Sequence, residues 1–315
     1  MESKLKQIKK KTDWKTFIFV YGFMAWPIIH FLVFWLYLNV DTVVLTFQTF
    51  SVKQGKYVFV GLRNYQDLWK WIFQQSPSNL MVYAIKNSIS IVMFQYFVLI
   101  PIPIIFAYMM YKKVPGGGFF KVVFFLPNIL SDVVMVTLFK LMFDPNLGPI
   151  QIIMNLLGME NLTPKLGWFG NPNTAWGMVL LECLWAGIGY NLLLFFSGFN
   201  RIPQEVSESA RLDGAGMFRE FIYISFPLIS TTLSTMLILA TGSSLSFFMN
   251  ALILTNGGPD GASSTIMMVI MQQVKAGNSG VTMASTIGIF FYATFLPVIF
   301  LIRWGIEKLF PPIEL

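Results

Sequence analysis

Residues 203–227 read PQEVSESARLDGAGMFREFIYISFP, and four acids and two arginines fall within them. Long apolar segments flank this stretch on both sides. Pro203 and Glu205 suit a helix start, because proline gives up an N–H that would be unpaired there and a carboxylate complements the positive end of the helix dipole. The stretch therefore predicts a short polar helix over about 205–212, a break at Gly214-Ala215-Gly216 and a second helix running into Pro227. A polar helix held between two apolar spans is well placed to be gripped by a soluble partner.

The rest of the chain sets that helix against a bilayer. Of its 315 residues 55% are hydrophobic and 12% charged, and mean hydropathy is +0.64. Soluble domains carry about 25% charged residues, so the deficit points to lipid as solvent. Length alone would allow about two soluble domains, but the apolar runs override it. Proline and glycine inside those runs are tolerated in membrane bundles. The net charge of +7 sits in short segments between apolar runs, which argues against nucleic acid as a partner. Cys183 and His30 are the only residues of their types, so no internal disulfide and no Cys/His metal cluster can form. Both read as packing residues.

Six apolar spans are expected, over about 16–38, 87–111, 122–143, 174–196, 226–254 and 281–302. Each is near the roughly 20 residues a bilayer requires. The fold class is thus an all-α polytopic membrane protein, with a basic N-terminus over 1–15 and a single transmembrane domain over 16–315. The first run is longer than the ~7–15 residues of a signal-peptide core and lacks a small-residue cleavage site, so it reads as a retained span. Val43–Phe50 has β character, and Asn64–Phe73 reads as an amphipathic surface helix. Pro101 and Pro103 are expected to bend the second span.

Charge asymmetry sets the topology. With the N-terminus inside, segments 1–15, 112–121, 197–225 and 303–315 hold 14 of the 22 Lys and Arg residues. Both termini and the 203–225 segment are therefore expected in the cytoplasm. No motif for making or breaking a bond is present. The glycine clusters at 116–118 and 257–261 lack the Gly-x-x-x-x-Gly-Lys-Ser/Thr spacing that cradles phosphates, and no Gly-x-Ser-x-Gly, His-Glu-x-x-His or Cys-x-x-Cys occurs. The chain is expected to be no enzyme and to have no catalytic or metal residues. An ATP-powered process would need its motor on another polypeptide.

Glu208-Ser209-Ala210, three residues, Gly214, nine residues, Ile224, one residue and Phe226-Pro227 resemble the EAA signature of ABC-importer permeases. Ser209 stands for an alanine and Phe226 for a leucine. Further blocks resemble the carbohydrate-uptake branch, which includes maltose, lactose and glycerol-3-phosphate permeases. They are Phe59–Tyr65, Phe119–Pro127, Phe143–Gly148, Ile202-Pro203 and Leu254–Pro259.

The resemblance implies that Glu205–Leu212 is a coupling helix, parallel to the membrane and seated in a cleft of an ATPase subunit. Glu205, Glu208, Ala210, Arg211, Asp213 and Gly214 would form the coupling segment, with Glu208 its main polar contact and Gly214 its turn. Asp213 is placed to cap the next helix, and Glu208 and Arg211 to pair on one face. Implied partners are a second permease subunit, two copies of the ATPase, an extracytoplasmic sugar-binding protein and the lipid bilayer. This chain would bind no cofactor, ATP and Mg lying on the ATPase.

By the same resemblance, sugar contacts fall in the spans before and after the signature. Glu182, Trp185, Gly187, Tyr190, Asn191, Ser244, Phe247, Phe248 and Asn250 are the path candidates, since sugars stack on aromatic faces and bond to amides and hydroxyls. Tyr190 leads them. Glu182 is a carboxylate inside a span, which favours a cavity or a partner. An ion-gradient transporter or channel using Glu182 or Asp132 is the alternative, although no inverted repeat is evident. A non-transporting scaffold is a third reading.

Overall fold

A computed structural model describes residues 14–74 and 79–309. Residues 1–13 and 310–315 lie outside the described residues, and with them the five lysines of 1–13 that contribute to the charge asymmetry. Four helices are long and apolar enough to cross a membrane, or six if each of two bent pairs counts as one span.

The first is α1 (Phe17–Leu45), most of whose large side chains are exposed. A hairpin follows, β1 (Gln48–Ser51) paired antiparallel with β2 (Lys56–Phe59) and Thr49 opposite Val58. Helix therefore extends through Leu45, further than the β character of 43–50 implied. Next comes α2 (Arg63–Ile72). Its buried Asn64 donates to the carbonyls of Thr46 and Gln48, both at 2.8 Å, and so fastens α2 to the end of α1 and the hairpin.

Span α3 (Leu80–Tyr111) starts seven residues earlier than 87, capped by Asn79, whose Oδ1 accepts from the Met81 amide at 3.0 Å. It runs through Pro101 and Pro103 as one span. Proline removes an amide and crowds the preceding turn; here the helix widens just before it, with Ile100 N–H donating to Gln95 O at 2.9 Å.

The segment expected as one helix over 122–143 is two, α4 (Gly117–Ile129) and α5 (Asp132–Met142), bent by 106° at Leu130-Ser131. After α5, Asp144 closes a turn by accepting from the amides of Asn146 at 2.8 Å and Leu147 at 3.0 Å. Those two amides, Leu147 first, hold its carboxyl below the usual carboxylate range. A short helix, α6 (Pro149–Leu156), leads on towards α7 (Pro172–Phe199), the central span. At Gly189 a Cβ would lie 2.1 Å from Phe124 O, so only glycine lets α7 and α4 approach this closely. Asn128 of α4 donates to Ala186 O at 3.1 Å across the same contact.

Beyond it lie α8 (Gln204–Leu212), the bent pair α9 (Met217–Leu228) and α10 (Ser230–Leu245) at 69°, and α11 (Met249–Thr255). The expected fifth span, 226–254, is thus corrected: it ends at Leu245 and α11 is a separate helix. Finally come α12 (Ile266–Lys275) and α13 (Asn278–Leu309). Ile104, Phe195, Phe199 and Leu233 bury one core between α3, α7 and α10. Leu68, Met81, Val269 and Ile287 bury a second between α2, α3, α12 and α13. Val136, Val179 and Leu254 join α5 and α11 to α7 in a third.

Candidate functional site

The polar helix α8 has two faces. Glu205, Glu208, Arg211 and Asp213 are exposed, and Leu212, at 90% exposure, stands among them. On the opposite face Ser207 and Ala210 are buried. The helix ends where Gly214 turns into the left-handed region (φ 75°), with the Ala215 amide reaching back to Ala210 O at 2.9 Å. Beyond the break, Met217 and the 76%-exposed Phe218 extend the apolar part of the outward face. An exposed surface that mixes acids, an arginine and large apolar side chains can fill a cleft on a partner while its charges set the register.

Two local expectations are corrected. The N-cap of the following helix is Gly216 rather than Asp213, and it makes no side-chain capping bond; Asp213 instead closes α8, its amide donating to Ser209 O at 3.0 Å. Glu208 accepts from Gln204 Nε2 at 2.7 Å, and among the described residues no ion pair joins it to Arg211. Glu208 thus pairs one turn back along the helix, and Arg211 takes part in no ion pair among the described residues.

Under the buried face sits a polar cluster that the sequence did not disclose. Lys112, just after α3, forms an ion pair with Glu220 of α9, and the two side chains are 7% and 3% exposed. Ser207 of α8 donates to Glu220 Oε1 at 2.7 Å and accepts from Lys112 Nζ at 3.1 Å. Tyr111 OH lies 3.2 Å from Ser207 Oγ, and the Lys112 ammonium stands 5.7 Å and 5.3 Å from the ring centres of Tyr108 and Tyr111. Tyr108 OH donates to Met217 O at 3.0 Å. One serine thus fastens α8 to the end of α3 and the start of α9 together.

The path candidates separate by what they touch. Tyr190 is 55% exposed and faces a groove of about 280 Å³ between α7 and α10, lined also by Ser197, Arg201, Thr231 and Thr235. Gly187 is pressed against Leu99, where a Cβ would meet Cδ1 at 2.9 Å. Asn191 donates back to Gly187 O at 3.0 Å. Trp185 lies tilted against Phe139, with ring centres 5.8 Å apart, and Phe247 lies edge-on to Trp176 at 6.4 Å. Phe248 packs in the same core. Ser244 is buried and donates to Ala240 O at 2.7 Å. Asn250 Nδ2 donates to Glu182 Oε2 at 2.6 Å, tying α11 to α7. Glu182 is fully buried, and its Oε1 has no hydrogen-bond partner among the described residues. Asp132 is exposed in the first turn of α5.

Residues 99–310 match the family described as binding-protein-dependent transport system inner membrane component. The chain belongs to this family. Among its relatives is a probable ABC transporter permease, YurN, of Bacillus subtilis (strain 168), 31% identical over 242 residues, or 76% of this chain and 80% of that protein. The trehalose/maltose transport system permease MalF of Thermococcus litoralis is 25% identical over 77% of this chain and 79% of that one. The arabinooligosaccharides permease AraP of Bacillus subtilis is 27% identical over 85% and 84%. The fold resembles that of a bacterial ABC transporter involved in import of the acidic polysaccharide alginate, with a TM-score of 0.78, 20% identity and coverage of 95% of this chain and 96% of that one.

In this transport-system membrane component the signature spacing therefore folds as α8, the left-handed Gly214 and α9. The Lys112–Ser207–Glu220 cluster went unseen because Ser207 and Glu220 lie 95 and 108 positions from Lys112 along the chain. Its one visible sign was Glu220, an acid at the mouth of an apolar run.

Proposed function

We propose that this chain is one of two permease subunits of an ABC importer for a sugar or oligosaccharide, with six spans, both termini in the cytoplasm and α8 docked on a separate ATPase. Two copies of that ATPase carry the ATP and Mg, this chain binds no cofactor, and an extracytoplasmic sugar-binding protein delivers the substrate. The observation that carries the reading is the division of α8 into an outward face of Glu205, Glu208, Arg211 and Leu212 and an inward face fastened to α3 and α9. Such a helix can take up a partner's motion and hand it to two spans. The carbohydrate substrate rests on relatives named for trehalose/maltose and arabinooligosaccharides.

ATP binding would draw the coupling helices of the two subunits together and turn the central path outward; hydrolysis would reset it. Tyr190 and the threonines of α10 are suited to line the path, offering one aromatic face and several hydroxyls. The test is Glu208→Lys in the reconstituted complex. Reversing the charge on the exposed face should abolish sugar-stimulated ATP hydrolysis or ATPase assembly while the chain still folds. Unchanged assembly and stimulation would remove α8 from the coupling role.

A further inference from the structure

A cavity of about 590 Å³ opens between α8 and the ends of α3 and α7. Its volume falls within the ~300–1,000 Å³ of sites that hold small molecules. Tyr111 and Lys113 wall one side, Arg201 stands at the turn after α7, and Ser207, Glu208 and Arg211 line it from α8. Among the described residues Lys113, Arg201 and Arg211 take part in no ion pair, whereas the neighbouring Lys112 is neutralised by Glu220. The carboxylate on the wall, Glu208, opposes one of the three free cations and is itself held by Gln204. The lining therefore keeps a surplus of two positive charges. Lys113 is held in the left-handed region (φ 55°), its amide bonded to Met110 O at 2.9 Å, an uncommon backbone for a residue other than glycine.

We propose that this cavity binds a phosphate monoester. At neutral pH such a group carries about −1.5 to −2 charge and three acceptor oxygens, which match the two surplus charges. The guanidinium fork of Arg201 suits a phosphate's paired oxygens, and Lys113 supplies a point charge. The cavity lies at the end of two spans, so the phosphate can come from a lipid headgroup or from a soluble sugar phosphate. The inference rests on the proposed cytoplasmic placement of α8. Bound there, the ligand would touch both Glu208 and Arg211 and so bear on how α8 presents its outer face.

The test uses the purified full chain in nanodiscs, without the ATPase, so it can fail while the Glu208→Lys test succeeds, and the reverse. One arm titrates glucose 6-phosphate and inorganic phosphate into phosphatidylcholine discs by calorimetry. The other detects phosphatidic acid retained from mixed discs by native mass spectrometry. Saturable binding in the first arm identifies a soluble source, and retention in the second a lipid. In either arm K113Q/R201Q should weaken binding at least about tenfold as two charge-assisted contacts are lost. K113R/R201K, which keeps both charges, should stay within about threefold of the parent and shows that the loss is not misfolding. Binding that is the same in K113Q/R201Q, or absent with every probe, overturns the proposal.

Discussion

Replacing Glu220 by alanine tests the buried ion pair to which Ser207 fastens α8. The Lys112 and Glu220 side chains are almost fully enclosed, at 7% and 3% exposure. In Glu220→Ala the Lys112 ammonium would keep only the Ser207 hydroxyl at 3.1 Å and the faces of Tyr108 and Tyr111. Removing one partner of a buried pair costs about 3–5 kcal/mol, because the other charge is left without compensation. Lys112→Ala should cost a similar amount, since the Glu220 carboxylate would retain Ser207 as a donor but no cation. The double change K112M/E220L removes both charges and fills their volume with apolar atoms, which is often nearly neutral and should restore stability to within about 1 kcal/mol. With K112M and E220L as the single variants of the cycle, each expected to cost about as much as its alanine counterpart, the coupling energy should exceed about 2 kcal/mol. Denaturant unfolding of the purified chain in detergent, followed by tryptophan fluorescence, reads the parent, both single variants and the double variant of the cycle. Single losses below about 1 kcal/mol, or losses that simply add in the double variant, would refute the assignment of the pair as the anchor that Ser207 of α8 holds.

Three further outcomes follow from the packing. Gly189→Ala places a methyl group 2.1 Å from Phe124 O, so α4 and α7 must part, and a loss of about 1–3 kcal/mol is expected for overpacking; an unchanged melting temperature would contradict the close contact. Asn64→Ala removes both buried bonds to Thr46 O and Gln48 O and should cost about 1–3 kcal/mol, with faster amide exchange in the hairpin that spares α7. Asp144 has a lowered pKa, so its turn is stabilised above the ordinary carboxylate range and that contribution is lost as pH falls through the lowered value. Hydrogen exchange at the Asn146 and Leu147 amides should therefore lose protection on acidification, and Asp144→Ala should lack that protection at every pH.

What could be read from the sequence depended on contrast. A polar helix inside a chain with 12% charged residues stands out, and the spacing from Glu208 through Gly214 to Pro227 sets its ends to within a residue. The bend at Leu130-Ser131 has no such contrast. Pro127 sits in an apolar run where membrane helices tolerate proline, so composition does not separate a straight span from a broken one. For the same reason α11 merged with α10: no polar residue beyond Ser246 and Asn250 marks the turn at Phe247-Phe248. Residue type also misleads about side-chain use. Ser244 and Asn191 have the groups to bind a sugar, yet their bonds go to Ala240 and Gly187 within their own helices. Tyr190 differs because Gly189 before it brings α4 close on one side, leaving the ring to the open groove on the other.

The fastening of α8 also bears on where a motor's motion would go. Ser207 and Glu220 join α8 to α9, and α9 meets α10 at a 69° bend next to the buried Ile229 and Leu233. Lys112 joins the same point to α3, whose Ile104 and Tyr108 lie in the core with Phe199 and Leu233. A shift of α8 therefore cannot be absorbed by a loop. It must either break the buried Ser207 hydrogen bonds to Glu220 and Lys112, at about 1.5–3 kcal/mol each for bonds to charged groups, or carry α3 and α9 with it. The second course keeps those buried bonds, and packed elements can move as bodies. On the proposed coupling role, the motion arrives first at the α9–α10 bend and then at Thr231 and Thr235, which face Tyr190 across the groove. The groove would open or close by the hinge of α10 while α7, held to α4 at Gly189 and to α11 through Glu182 and Asn250, stays in place.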